Sequence, residues 1–242
     1  MPPPFDMDRQ KRIDRTRTGV LLLLIGTLLS WIPIAQIFGS LLLLIGAILV
    51  ILGRKAFGPA HSRFVVISIL VFILGFVITI VGGFILGFTL AAAYLGGAPT
   101  PAALQSAFSN SLIIAFVGTA VAGIASVLFT FALQNQMGRS LLVAGYVASI
   151  AVQAVIFVIV SALIPATVDA MFPGGTYNPN AAIVAAAAFQ AKAAVWGYLS
   201  VIPALIYAGA DYIAWTRIKK GEIPAPPTPP GMAPVAAPIQ PR

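Results

Sequence analysis

Two long stretches of the chain contain no charged residue, and they restrict its fold more than any other feature. Residues 19–53 run for 35 positions, and residues 64–95 for 32, without an Asp, Glu, Lys or Arg. Stretches of this kind are typical of membrane-crossing helices, because a helix needs about 20 residues to span the hydrocarbon core of a bilayer. The sequence therefore predicts an all-α fold, an integral membrane helical bundle.

The composition excludes the soluble classes of protein. Only 8% of the 242 residues are charged and 60% are hydrophobic, whereas a soluble domain carries about 25% charged residues. So few charges cannot cover a water-soluble globule, which excludes a soluble enzyme as well as disordered, collagen-like and disulfide-rich chains. The chain has no cysteine, which also excludes thiolate metal sites and cysteine nucleophiles.

The first uncharged stretch is too long for one span, and two interpretations compete for it. Its middle contains Pro33, Gln36 and Gly39, which favour a turn, so the stretch is either one broken span or a hairpin of two short helices. Basic residues flank both of its ends, and a hairpin keeps both ends in the cytoplasm, where basic flanks are favoured. The sequence thus predicts that the bundle begins with a tight helical hairpin.

The two arms of the predicted hairpin resemble each other. The segment Leu-Leu-Leu-Leu-Ile-Gly occurs at residues 21–26 and again at residues 41–46. Gly26 and Gly46 would let two similar antiparallel helices approach closely about a local pseudo-two-fold axis. A leucine-rich composition also produces such repeats by chance.

Four further spans follow, which gives six predicted transmembrane helices. The span at 64–95 contains Gly83 and Gly87, spaced as a close-packing face between helices or as a weak point in one helix. The other spans are predicted at residues 109–133, 140–164 and 187–215. The chain then divides into a basic N-terminal segment at 1–18, a transmembrane domain at 19–220 and a Pro-rich tail at 221–242, whose composition predicts an extended or disordered segment.

The Lys and Arg residues predict the orientation of the bundle. Of the 14 such residues, thirteen fall in the N-terminal segment, the 54–63 loop, the turn at Arg139 or the C-terminal segment, all on one side of a six-span topology. Because basic loops stay in the cytoplasm, both termini are predicted to be cytoplasmic, in a cell membrane. The exception, Lys192, is expected to snorkel to the outer interface. Separate basic clusters beside a bilayer predict anionic lipid headgroups as partners, and not nucleic acid.

Few residues suggest chemistry. The single histidine, His61, is expected at the surface or the interface, because one loop histidine cannot complete a haem or zinc site. The sequence contains no Ser/His/Asp set, phosphate-binding loop or HExxH motif, so we predict no catalytic site, metal or cofactor and no enzyme activity. Asp211 is expected either to form a structural ion pair with Arg139, Arg63 or Arg54 or to act as a functional acid.

Polar residues at helical spacing on the last three spans predict a shared polar seam. The functional interpretation is a lined path or small binding cavity, with Pro203 opening the sixth helix locally. The alternative is that these side chains hold closely packed helices together through interhelical hydrogen bonds, each of which contributes about 0.6 kcal/mol. The candidate seam residues are Ser126, Thr130, Tyr146, Ser149, Gln153, Ser200, Tyr207 and Asp211.

The stretch 17–76, with Leu-Ser-Trp-Ile-Pro at 29–33, Gly-Arg-Lys-Ala-Phe-Gly at 53–58 and His61, resembles uncharacterised archaeal polytopic membrane proteins. The resemblance implies a helical membrane fold and an archaeal cell membrane, and it brings no activity or functional residue. The sequence as a whole favours a non-enzymatic structural or accessory membrane component that associates with a second copy or with another membrane protein. The alternative is a small transporter or channel subunit with a polar path between the last three helices.

Overall fold

Helices account for every regular element in the part of the chain that the computed structural model describes, residues 4–32, 34–96 and 99–224. The predicted all-α fold is confirmed there, while Pro33 and residues 225–242 of the Pro-rich tail lie outside the described residues. Short 3-10 helices occupy Arg54–Phe57, Pro173–Gly175 and Tyr198–Ser200. The α-helices are α1 (Pro4–Ser30), α2 (Gln36–Gly53), α3 (Gly58–Gly96), α4 (Pro101–Phe131), α5 (Gln136–Ala170), α6 (Pro179–Gly197) and α7 (Val201–Lys219).

The predicted count of six transmembrane helices is wrong. A 3-10 helix joins α2 to α3, and another joins α6 to α7, so the described residues form five helical runs. Four of these runs are long and apolar enough to cross a membrane; they are Gln36–Ala92, Pro101–Phe131, Gln136–Ala170 and Pro179–Lys219. Helix α1 is not among them, since charged residues fill its first half.

The expected loop at residues 54–63 is helical, which explains part of the error. The sequence Arg-Lys-Ala-Phe at 54–57 contains neither glycine nor proline, and it continues the helical path of α2 as a 3-10 helix. The interruption comes one residue later, at Gly58, whose φ of 90° lies in a region that only glycine adopts without steric cost. Helix α3 therefore begins at Gly58 rather than at residue 64.

Side-chain caps fix where the next three helices begin. The Thr100 hydroxyl accepts a hydrogen bond from Ala103 N at 3.2 Å, and the Asn135 carboxamide accepts one from Gly138 N at 2.9 Å. Asn178 caps α6 in the same way. A capping side chain pairs backbone N–H groups that a helix start leaves unsatisfied, so α4, α5 and α6 start before the predicted spans.

Pro203 accounts for the break between α6 and α7. Proline has no N–H to bond the carbonyl four residues earlier, and its ring crowds that carbonyl. Four residues before Pro203 is Leu199, within the 3-10 helix Tyr198–Ser200. The local disturbance that the sequence predicted at Pro203 is this short 3-10 turn.

Helices α1 and α2 form an antiparallel hairpin with backbones in direct contact. A methyl group at Gly46 would lie 2.7 Å from the carbonyl oxygen of Gly19, and one at Gly26 would lie 2.8 Å from that of Gly39. Only a glycine hydrogen fits at such separations, which is how small residues allow helices to pack closely in membranes. The predicted hairpin, with Gly26 and Gly46 in its interface, is confirmed as a pair of packed helices, although α1 is not among the runs that qualify as a membrane span.

Helices α3 and α4 also pair closely, although not through the glycines that the sequence singled out. A methyl group at Gly75 would lie 2.6 Å from the carbonyl oxygen of Gly118, and the Ser68 hydroxyl donates to the Ala125 carbonyl at 2.7 Å. By contrast, nothing lies within 4 Å of a methyl group at Gly83 or Gly87. The close-packing face of α3 therefore extends from Ser68 to Gly82, where a methyl group would lie 3.1 Å from the Ser111 carbonyl oxygen, and it excludes Gly83 and Gly87.

Two clusters of buried apolar residues mark the two ends of the bundle. We call the first the basic-end core; it comprises Val20, Val50, Val65, Leu133, Ala214 and Ile218. The far-end core comprises Leu104, Ile164, Val168, Met171, Phe172, Ala182 and Ala185. The segments that bear the basic clusters at 9–17, 54–63, 139 and 217–220 all adjoin the basic-end core, so the fold collects them at one end.

Large apolar side chains cover the outer faces of α2 and α3. Phe38 is 66% exposed, Leu70 62% and Phe88 72%. Contiguous apolar surface on this scale is typical of contact with lipid or with another protein. It agrees with four helical runs long and apolar enough to cross a membrane.

Candidate functional site

One predicted seam residue, Tyr207, packs between α5 and α7, near two others, Tyr146 and Asp211. The Tyr207 side chain lies within electrostatic range of Tyr146 and of Asp211. Its ring covers Gly145 of α5, where a methyl group would come 3.3 Å from the ring carbons. The Tyr207 ring thus packs directly against the backbone of the neighbouring helix.

Tyr146 repeats this arrangement between α5 and α4. A methyl group at Gly123 would lie 2.9 Å from its ring, and its hydroxyl donates to the Ala120 carbonyl at 3.1 Å. The ring occupies the space that glycine leaves, and the hydroxyl finds the partner that a half-buried tyrosine needs. The contacts of Tyr146 and Tyr207 therefore link α4, α5 and α7 in sequence.

The other predicted seam residues do not extend this contact into a continuous path. Ser126 is exposed, and Gln153 donates to Ser149 of its own helix at 3.0 Å. Ser200 donates to the Gly197 carbonyl at 2.6 Å, one turn back in its own run. Thr130 is buried, and its hydroxyl has no hydrogen-bond partner among the described residues. The structure thus brings together part of the seam, close to the basic end.

Asp211 is buried without the ion pair that the sequence predicted. Asp211 is 7% exposed, and its side chain forms no hydrogen bond or ion pair with any described residue. The guanidinium of Arg139 lies 5.0 Å from the Phe131 ring, and Arg54 donates to the Ile51 carbonyl at 3.3 Å. Arg63 is exposed. The predicted pairing is therefore wrong, because Asp211 faces inward while these arginines bond locally or face outward.

Gln134 and Arg217 are polar contacts that the sequence did not single out. Gln134 is 2% exposed, and its Nε2 donates to the Ala210 carbonyl of α7 at 3.0 Å. Arg217 Nη1 donates to the Leu133 carbonyl at 2.7 Å. Both bonds tie the turn between α4 and α5 to α7. No sequence pattern distinguishes Gln134 from Asn135 and Gln136, which are exposed in the same turn.

His61 is buried, contrary to the expectation of a surface position. It is 0% exposed, its ring meets Phe57 edge-on at 5.7 Å, and neither ring nitrogen has a partner among the described residues. Because α3 begins at Gly58, His61 shares the buried face of α3 with Val65 and Ser68. Far from this cluster, Lys192 is exposed on α6, and its depth in a bilayer stays a prediction.

Comparison with known proteins found no matching family model, no matching curated protein and no matching solved structure. The resemblance to archaeal membrane proteins therefore stays a prediction.

Proposed function

We propose that this chain is a multi-pass membrane protein with a non-enzymatic, structural or accessory role. The main support for the proposal is that the Tyr146 ring packs against Gly123 and the Tyr207 ring packs against Gly145. Polar side chains that line a path face open space, whereas these two rings fill the gaps left by glycine and join three helices. Small residues with polar neighbours are the contacts that hold helices together in lipid.

The basic end of the bundle faces the cytoplasm in this proposal, with both termini on that side of a cell membrane. The support is the gathering of the basic clusters around the basic-end core, since Lys and Arg resist translocation. The chain has no cysteine, so single cysteines report the side of the membrane without background. Thr176→Cys, in the connection between α5 and α6, should react with an impermeant maleimide outside intact cells. Lys220→Cys should react only after lysis, and the reverse pattern would refute the orientation.

A transporter or channel subunit is the second candidate, and Asp211 is the observation that favours it. A buried acid in a membrane protein is costly and is by default a functional candidate, and this acid has no hydrogen bond or ion pair within the described chain. Such a group could carry a proton or bind a cation during transport.

Ion flux into proteoliposomes separates the two candidates. Full-length protein is reconstituted with a pH-sensitive or sodium-sensitive dye inside the vesicles, and the rate is compared with that of empty liposomes. The structural role predicts no flux above the empty liposomes, and no difference for Asp211→Asn. Flux that disappears in Asp211→Asn but persists in Asp8→Asn, an exposed acid near the N-terminus, would replace the structural role with transport.

A further inference from the structure

A groove at the basic end of the α1–α2 hairpin combines cationic side chains with an apolar wall. It has a volume of about 340 Å³ and is lined by Lys11, Asp14, Arg15, Thr18 and Leu49. Lys11, Arg15 and Thr18 follow each other at intervals of four and three residues, which places them on one face of α1. The groove is shallow and open to its surroundings, so a ligand would lie along it and not be enclosed.

The two bases of this groove are free to bind an anion. The lining contains one acid, Asp14, against two bases, and the Asp14 carboxylate is 3.2 Å from the guanidinium of Arg17, which offsets its charge. Lys11 and Arg15 form no hydrogen bond or ion pair with any described residue, and both are exposed. An ammonium and a guanidinium therefore offer their donors to the same space, beside the Thr18 hydroxyl.

The groove lies at the depth where lipid headgroups sit if the protein spans a bilayer. Its neighbours Val20 and Val50 belong to the basic-end core, against which Trp215 packs. The ammonium of Lys219 lies 4.9 Å from the Trp215 ring. A tryptophan beside a lysine is typical of the boundary between headgroups and hydrocarbon.

The apolar wall of the groove continues along the exposed face of α2. Leu49 lines the groove, and Ile45 and Leu52, one turn to either side, are 46% and 53% exposed. Farther from the basic end, the same surface of α2 includes Leu41, which is 51% exposed. The groove thus presents cations and a hydroxyl at one end and an open apolar strip leading away from it.

We propose that this groove binds an anionic phospholipid, with the phosphate between Lys11 and Arg15 and an acyl chain along α2. The proposal rests on the membrane location proposed above and deepens it by naming a bound lipid class and its site. The paired charges recognise the phosphate, and the apolar strip selects a lipid over a soluble anion. The lipid would fasten the hairpin to the inner leaflet.

Native mass spectrometry of the full-length protein in neutral detergent tests this proposal. The protein is titrated with phosphatidylglycerol and, separately, with zwitterionic phosphatidylcholine, and the apparent Kd of the first bound lipid is measured. Phosphatidylglycerol is expected to bind more tightly. The double variant Lys11→Gln/Arg15→Gln should weaken its binding about 25-fold, since each interfacial base contributes about a factor of five.

The matched control is Arg63→Gln/Lys220→Gln, which removes two exposed bases at the same end of the bundle but outside the groove. It should change the Kd less than twofold, and Lys11→Arg/Arg15→Lys should retain tight binding. Equal weakening by both glutamine pairs, or equal affinity for the two lipids, would overturn the groove as a site. Displacement of phosphatidylglycerol by glycerol 3-phosphate would overturn the lipid as its ligand. The cysteine labelling described above tests the membrane location independently of all these outcomes.

Discussion

The substitution Gly46→Ala is expected to loosen the α1–α2 hairpin. The added methyl would lie 2.7 Å from the Gly19 carbonyl oxygen, whereas ordinary contact begins at 3.4 Å. The helices must therefore separate by the difference, 3.4 − 2.7, or about 0.7 Å. A gap of that size removes about a quarter to a half of the dispersion attraction along the interface. Overpacked positions generally cost about 1–3 kcal/mol.

Hydrogen–deuterium exchange in detergent micelles measures this cost where it arises. A loss of about 1–3 kcal/mol corresponds to local opening that is about 5- to 150-fold more frequent, so amides in α2 should exchange faster by that factor. Gly83→Ala is the matched control, because it makes the same change in a helix with no atom within 4 Å of the new methyl. The expected loss of about 1–3 kcal/mol is the net cost that remains after the gain in intrinsic helix propensity, about 1 kcal/mol, which alanine brings in both variants.

Equal exchange of the α2 amides in the two variants, within twofold, would refute direct backbone contact in the hairpin. Amides of α5 serve as the internal reference and should be unaffected in both. Faster exchange throughout the protein would instead mean that Gly46→Ala destabilises the whole bundle.

Two further predictions concern contacts between helices near the basic end. Tyr146→Phe removes the hydroxyl that donates to Ala120 while keeping the ring, so thermal unfolding in detergent should reveal a loss of about 0.6 kcal/mol; a variant as stable as the wild type would show that ring packing alone matters. Arg217→Gln removes a charged donor to the Leu133 carbonyl and should cost about 1.5 kcal/mol, since the ion pair to Glu222 that it also removes is at the surface and contributes little; Lys220→Gln, on an exposed residue nearby, should cost little. Equal unfolding temperatures for those two variants would contradict the role of this bond.

The sequence predicted the parts of the fold that depend on neighbouring residues. The hairpin could be recognised because its turn residues, its basic flanks and both glycines fall within one short stretch. The predicted number of transmembrane helices was wrong, also for a local reason. Nothing in Arg-Lys-Ala-Phe signals whether the chain leaves the helical path or tightens into a 3-10 turn.

The candidate site was harder to predict, because its contacts join distant parts of the chain. Gln134 bonds a carbonyl 76 residues away, and periodicity on one helix cannot indicate which neighbour that helix will face. The same limit explains Asp211, whose expected arginine partners bond locally or face elsewhere. Helical spacing also placed Ser126 in the seam, although it is exposed in the fold.

The order in which contacts become available during synthesis follows from the pairing of the helices. The hairpin joins residues such as Gly26 and Gly39, which are close in sequence, so it can form as soon as its own residues have left the ribosome. The basic-end core, however, includes Val20 near one end of the chain and Ile218 near the other. Contacts between such remote segments carry a larger loop-closure cost and form slowly. Contacts between α1 and α7 can therefore form only after α7 has been synthesised. Until then, the surface of α1 that will contact α7 is available to lipid or to other membrane proteins.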